Sequence, residues 1–427
     1  MKNLFKNKVL QNSIYLYILQ IFSTVIPLIT LPYITRVLGI EKYGVFSKML
    51  NYITYLQVFV EYGFTLTGAS KISLAQNQEE INKVFSNIIV CKIINCLISL
   101  IIIFCLGFTL FYNSGQWKCL FILALLCLSE VFIQTWMLQG LQDMKFIMII
   151  NVLARCFSTV LIFIFVKTTN DLLLYSFLFV ATNIIVAVFG LLLVTKKFQV
   201  RFVKTNIKEI VLEFRDGWYL FTTSFASKIC SNIAITVLGI FTTDIIIGGY
   251  SAVLKIPQII VMVYAPLGQA IYPYMCKNFK QDKFKAVNFI KKLFLVILIG
   301  CLIGLFVLIG LRDFIINIVY GEEYIAYAYL TIPLGIWLVC SILNNVLGIQ
   351  ILVASGNQKI YSRCFLISVV ALVGLNFLLG YFFGAIGVAY ATMIGEAILT
   401  VCCAITIWLK KLLFKTENIN IIEEKQI

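Results

Sequence analysis

Apolar runs separated by short polar stretches recur along the whole chain, at about 12–35, 43–66, 86–111, 119–140, 146–166, 172–194, 217–241, 248–274, 291–311, 327–350, 362–383 and 385–409. A helix needs roughly 20 apolar residues to cross a bilayer. The pattern therefore predicts an all-α polytopic membrane protein with about twelve transmembrane helices. The last two runs are separated only by Gly384. An even number of crossings puts both ends of the chain on one side.

Positive charge says which side. With the termini and even-numbered connections placed in the cytoplasm, 24 Lys and Arg fall there, against five on the other face: Arg36, Lys42, Lys118, Lys167 and Arg312. This is the asymmetry of cytoplasmic loops, and it predicts that both termini are cytoplasmic. The start, MKNLFKNKVLQNS, is basic and leads into a long apolar run without an evident cleavage site. It reads as the approach to a retained first helix.

One hairpin occurs twice. The string LPYITRVLGIEKYGVFSK (31–48) is echoed by ITVLGIFTTDIIIGGYSAVLK (235–255): Val37–Ile40 matches Val237–Ile240, and the Tyr43 to Lys48 spacing returns as Tyr250 to Lys255. The second turn is seven residues longer. The longest internal connection, 196–216, is basic. It reads as an amphipathic segment on the inner surface, with Ile207, Ile210, Val211 and Phe214 on one face. The expected organisation is a six-helix bundle over 1–195, this connection, a second six-helix bundle over 217–409, and a cytoplasmic tail over 410–427. A parallel internal repeat would relate the bundles.

Composition narrows the chemistry. Of 427 residues 61% are hydrophobic, and mean hydropathy is +0.99. Lipid is the solvent that such a chain requires. The net charge of +15 is accounted for by topology, so no nucleic-acid partner is called for. Histidine is absent, which leaves carboxylates for any proton coupling. Most of the 13 cysteines sit in apolar runs and none forms a CxxC pair, so they read as small packing residues rather than metal ligands. Trp117, Trp218 and Trp408 lie near span ends, as interface anchors do.

Charges inside spans are the candidates for function, because each costs about 2.5–3.5 kcal/mol at mid-helix on insertion scales. The cations are Lys48, Lys92, Arg155, Lys228 and Lys255, and the acids are Glu61, Glu130 and Glu396. Lys92 is near enough to the inner end to snorkel. Glu61 is placed to meet Lys71, and Glu130 and Arg155, at similar depth on antiparallel neighbouring helices, read as a buried structural pair. Lys228, near the midplane of its span, has no acidic neighbour in local sequence, and the repeat aims Lys48 and Lys255 at one volume. Unpaired lysines around a partly wet cavity make an anion site. Glu396 is the best carboxylate for ion coupling or counter-charge, with Glu61, Glu130 and Arg155 as further members. Pro27 and Pro32 in the first helix, and Pro257, Pro266 and Pro273 in the eighth, predict bends in the flanking spans.

No Walker A motif is present, and no outer loop is large enough for a polymerase site; the connection carrying Gly321-Glu322-Glu323-Tyr324 spans only about fifteen residues. No catalytic residue, metal site or cofactor is expected.

The strings LPYITRVLGIEKYGVFSK, EYGFTLTGASKIS (61–73), QTWMLQGLQDMKF (134–146), GGYSAVLKIPQ, YPYM and YGEEY resemble the bacterial polysaccharide-unit flippases. These are the O-antigen and capsule translocases, relatives of multidrug antiporters and of the peptidoglycan-precursor flippase. The resemblance implies movement of an undecaprenyl-diphosphate-linked oligosaccharide from the inner to the outer leaflet of the bacterial cytoplasmic membrane. It implies alternating access through a central cationic cavity, with Lys48 and Lys255 in it and Arg36 at its outer rim. A polysaccharide polymerase and chain-length proteins are the partners that the resemblance implies. Three rivals stand beside this reading. An ion-coupled multidrug antiporter would want more in-span acids than cations; a membrane-embedded polymerase or transferase would need a loop-borne cluster; a scaffold would not need its buried lysines.

Overall fold

The computed structural model describes residues 8–413; Lys2, Lys6 and residues 414–427 of the expected tail lie outside the described residues. Among the described residues every regular element is helical. The helices are α1 (Lys8–Glu61), α2 (Phe64–Leu74), α3 (Gln78–Thr109), α4 (Trp117–Phe132), α5 (Thr135–Gly140), α6 (Met144–Phe165), α7 (Leu172–Lys197), α8 (Ile207–Phe241), α9 (Asp244–Gln281), α10 (Lys283–Gly310), α11 (Arg312–Tyr320), α12 (Thr331–Asn344) and α13 (Gln358–Leu409). Short 3₁₀ pieces at Thr169–Asp171 and Glu322–Leu330, and a π-helical stretch at Asn345–Val353, complete the order.

Among the described residues ten helical stretches are long and apolar enough to cross a membrane. Two of them are double length, Ile14–Leu74 with 61 residues and Gln358–Leu409 with 52. A straight 52-residue helix would extend about 78 Å, against a hydrocarbon core of about 30 Å. In α13 the backbone leaves the helical region at Gly384 (φ 57°, ψ −130°), a conformation that a side chain would strain. The chain there doubles back: Ser368 Oγ donates to the Gly395 carbonyl at 2.6 Å, and Lys410 Nζ donates to Asn357 Oδ1 at 2.8 Å. In α1 the break is Gly39 (φ 73°, ψ 168°). It comes seven residues after Pro32, and Pro27 and Pro32 both lie inside the helix before it. With these two breaks the ten helices hold the twelve expected runs.

The described chain forms two compact units. One reaches Ala252 and takes in Val319–Tyr324; the other comprises Val253–Ile318 and resumes at Ile325. This partition differs from a seam at 196–216, because α8 packs on α1 and α3 and so belongs with the first unit.

In the first unit the two resemblance strings around 61–73 and 134–146 lie against each other. Trp136 is fully buried over Gly68, where an added Cβ would collide with the indole, and Gly140 sits on Ile72 and the Ala69 carbonyl. Tyr62 stacks on Phe221 of α8 at 4.5 Å and meets Phe214 edge-on at 5.1 Å. The start of α8 is continuous with the span, and the expected apolar face is split, with Ile210 and Phe214 half-buried. Ile207 and Val211 are exposed, whereas Glu213 is buried against α2. The apolar side of this segment can meet lipid, while its carboxylates find lysines.

The expected longer second turn is absorbed into helix. Only Thr242 and Thr243 separate α8 from α9, and the extra residues form the first turns of α9. Those turns cross the segment of α1 after Gly39 in very close contact. A Cβ on Gly44 would overlap the Asp244 carbonyl oxygen, and one on Gly248 would overlap that of Ile40. Small residues that let backbones meet are the usual glue between membrane helices. The 319–324 piece docks on the Gly39 break: Ile40 N donates to Glu323 Oε2 at 3.3 Å, and Tyr324 OH donates to the Thr35 carbonyl at 3.3 Å. After Gly321 the connection is 3₁₀-helical, and its Glu323 and Tyr324 are bound to the Gly39 break.

The second unit has its own core. Met275, Ile290, Val346, Ile351, Leu352, Leu399 and Cys403 pack together from α9, α10, the π-helical stretch and α13. All 13 cysteines are unbridged, and six are buried, as small packing residues would be.

The glycine crossing makes a direct prediction. Gly44→Ala should lower thermal stability in detergent by several degrees and reduce monodisperse yield. Gly300→Ala, at a site with open space around it, should leave both within a degree or two. Equal behaviour of the two variants in a thermal-shift assay would remove the crossing as a structural constraint.

Candidate functional site

The polar side chains of α1 and α8 line up as a strip through the first unit. Lys228, Asn232 and Thr236 fall four residues apart on α8, which places them on one helical face. Asn232 Nδ2 donates to Thr54 Oγ1 at 3.2 Å, Asn51 Nδ2 donates to Thr236 Oγ1 at 2.8 Å, and Tyr55 OH shares a 2.9 Å bond with the same hydroxyl. Three residues further along α8, Gly239 lies beside the aliphatic stem of Lys48 and the Tyr52 hydroxyl. From Lys228 to Gly239 the strip extends about 16 Å along the helix. One lysine stands at each end.

The two ends differ. Lys48 is buried, its ammonium closed on the Asp244 carboxylate, with side chains 10% and 18% exposed. Gln116 Nε2 donates to the other carboxylate oxygen at 2.6 Å, and the ammonium lies 5.8 Å from the Phe111 ring centroid. Lys228 is half-buried, and among the described residues no hydrogen bond or ion pair engages it. An ammonium held in that setting with no carboxylate is costly in itself. It is what an anion would find.

The model of one family, described as polysaccharide biosynthesis protein, matches residues 9–279, well over half of the chain. The chain belongs to that family. Among its relatives, a candidate O-antigen transporter of Escherichia coli (strain K12) is 28% identical over 401 residues, covering 91% of this chain and 94% of that one. Among solved structures, a lipid II flippase in an inward closed conformation superposes with a TM-score of 0.69 at 15% identity, over 94% of this chain and 89% of the other. An inward-facing multidrug transporter of the MATE family gives 0.63 at 13% identity, over 95% and 100%. At these identities the structures report the shared fold alone. The resemblance read from the sequence motifs is thereby shown, and so is the all-helical membrane fold.

Several expected partnerships are different in this family member. Lys48 is not unpaired, because α9 begins early and brings in Asp244, a residue that the longer-turn reading leaves in a loop. Glu130 pairs with Lys92 at 3.3 Å rather than with Arg155. Lys92 also donates to the Glu130 carbonyl at 3.0 Å and is 1% exposed, so it does not snorkel. Arg155 is half-buried with no hydrogen-bond or ion-pair partner among the described residues. Glu61 does not meet Lys71. It accepts the backbone N–H groups of Gly63 and Thr65 at 2.9 and 2.8 Å, capping α2 after the Tyr62–Gly63 break. Lys71 instead bridges Glu213 and Asp216, beside a cavity of about 430 Å³ that Lys83, Asn87 and Glu209 also line.

Two candidates stand apart from the strip. Arg36 is exposed, next to Gly321 at the docked 319–324 piece. Lys255, in the second unit, is exposed, with Nζ on Gln258 Oε1 at 3.2 Å. Glu396, also in the second unit, accepts from Asn344 Nδ2 at 2.8 Å. Among the described residues no group of His, Cys, Asp or Glu is arranged to hold a metal. Asp244 and the Asn51–Thr54–Asn232–Thr236 ladder are what the sequence reading missed. Their only advance signal is polar residues at i, i+4 spacing within otherwise apolar runs.

The Lys92–Glu130 pair gives a test of the burial argument. Removing one partner strands the other charge, at a cost of roughly 3–5 kcal/mol. Lys92→Met should therefore strongly destabilise the protein in a thermal-unfolding scan. Lys92→Met/Glu130→Gln should recover most of the loss; a double variant as unstable as the single would refute the pairing.

Proposed function

We propose that the protein is a flippase for undecaprenyl-diphosphate-linked oligosaccharide in a bacterial cytoplasmic membrane, serving O-antigen, capsule or a related surface polysaccharide. It acts as a transporter, not an enzyme. Movement runs from the inner to the outer leaflet by alternating access, with both termini cytoplasmic, as the charge asymmetry supports. The two six-helix halves related by the parallel repeat are the elements that would alternate.

The observation that carries this reading is the strip in the first unit, with an unneutralised lysine at one end and a neutralised one at the other. A diphosphate must cross the hydrocarbon slab with its charge compensated, and the sugars must keep their hydroxyls hydrogen-bonded. Ammonium groups and the Asn, Thr and Tyr side chains between them are the two kinds of partner that such a substrate needs. Lys228 supplies the free charge, and Lys255 and Arg36 remain candidate contacts elsewhere on the route. The relative described as a candidate O-antigen transporter supports the same substrate class. An ion-coupled antiporter for cationic drugs would be poorly served by an unpaired ammonium in the strip.

The test is the sidedness of lipid-linked repeat units in cells, at matched protein levels, for wild type, Lys228→Met and Lys255→Met. Lys228→Met should lower the outer-leaflet fraction about tenfold, with units accumulating on the cytoplasmic leaflet. Lys255→Met should reduce it by a smaller factor. Unchanged sidedness in both variants would contradict the cationic-path reading.

A further inference from the structure

Asp244 is held too specifically to be a bystander. It is the first residue of α9, and the Gly44–Gly248 contact sets its register: Gly44 lies one turn before Lys48, and Gly248 one turn after Asp244. Its carboxylate is fixed on both oxygens, one by the Lys48 ammonium and the other by Gln116 Nε2 at 2.6 Å. Phe111 covers the ammonium on another side. A lysine closed in this way has no charge to offer a second anion. Leaving it bare in low dielectric would be expensive, whereas exchanging one anion for another keeps it neutralised throughout. At the far end of the strip, Lys228 carries no such carboxylate. One end of the path is open to an anion and the other is occupied by a built-in one.

We propose, resting on the flippase reading above, that Asp244 is an internal stand-in for the substrate's diphosphate. It is a positioning residue that keeps Lys48 closed until the anionic head of the lipid-linked substrate displaces it. The displaced carboxylate remains on Gln116, ready to close on Lys48 again when the diphosphate leaves. The consequence is a measurable penalty on binding. If Lys48 is released in about a tenth of molecules, apparent affinity is about tenfold below that of the open site.

Binding of undecaprenyl diphosphate to the purified full chain in detergent tests this, with undecaprenol and inorganic diphosphate as separate probes. Asp244→Asn should bind undecaprenyl diphosphate about five- to tenfold more tightly than wild type, with undecaprenol unchanged. A parallel gain for inorganic diphosphate would assign the effect to the anion itself and support the proposal. Lys48→Met/Asp244→Asn should lose the gain. Gln116→Ala keeps the ion pair but frees one carboxylate oxygen, and should bind about two- to threefold more tightly. That variant gives a result even if Asp244→Asn folds poorly. A merely structural pair predicts weaker or equal binding in every variant. Equal or weaker binding by folded Asp244→Asn, a gain that survives without Lys48, or no gain in Gln116→Ala if Asp244→Asn does not fold, would overturn the proposal alone. Failure of wild type to bind undecaprenyl diphosphate would overturn the flippase reading and the proposal with it.

Discussion

The constraint on which this structure turns is the cost of a charge in hydrocarbon. Helices satisfy their own backbones, but each ionised side chain must find a partner from another element or reach water. The chain meets the demand locally. Lys92 of α3 closes on Glu130 of α4, Lys71 of α2 on Glu213 and Asp216 of α8, and Lys48 of α1 on Asp244 of α9. Glu61 is satisfied by backbone amides instead. These partnerships pin the order in which α1, α2, α3, α4, α8 and the start of α9 meet in the first unit. Glycines then set how closely they meet, at Gly44, Gly68, Gly140 and Gly248.

Against that background the exceptions acquire meaning. Lys228 and Arg155 are half-buried cations that no described group neutralises. Only Lys228 shares a helical face with hydrogen-bonding side chains that lead to a second lysine. In the proposed function the polar ladder between α1 and α8 is more than inter-helix glue. It joins an open cation to a closed one along a route lined with amide and hydroxyl groups, which is suited to an anionic, sugar-bearing molecule.

Span number and composition were legible because they depend on local apolar length. Even the breaks at Gly39 and Gly384 sit where the runs part. The family was legible in short strings that prove to pack together, Trp136 on Gly68 and Gly140 on Ile72. Partner choice was not legible. Lys92–Glu130 and Lys48–Asp244 join residues 38 and 196 positions apart, and nothing in local sequence ranks Arg155 below Lys92 as the partner of Glu130. Asp244 was hidden for a different reason. Helix propagation through Ile245–Gly249 converted an expected loop into the first turn of α9, and so turned an expected loop acid into a half-buried helical one paired with Lys48. The 207–216 segment misled for a related reason. Its apolar face suggested a surface helix lying on its hydrophobic side, but Lys71 and Lys83 drew its carboxylates inward.

The proposed function requires that this chain by itself carry an anionic lipid-linked oligosaccharide across a bilayer. Reconstitution tests it most directly. The purified protein would be placed in vesicles loaded with undecaprenyl-diphosphate-linked oligosaccharide on both leaflets, and exchange followed by access of an external sugar-modifying reagent. The account predicts that the protected half of the substrate becomes accessible with protein present and stays protected in protein-free vesicles. A protected fraction that remains at one half, in vesicles whose protein is folded, would contradict it.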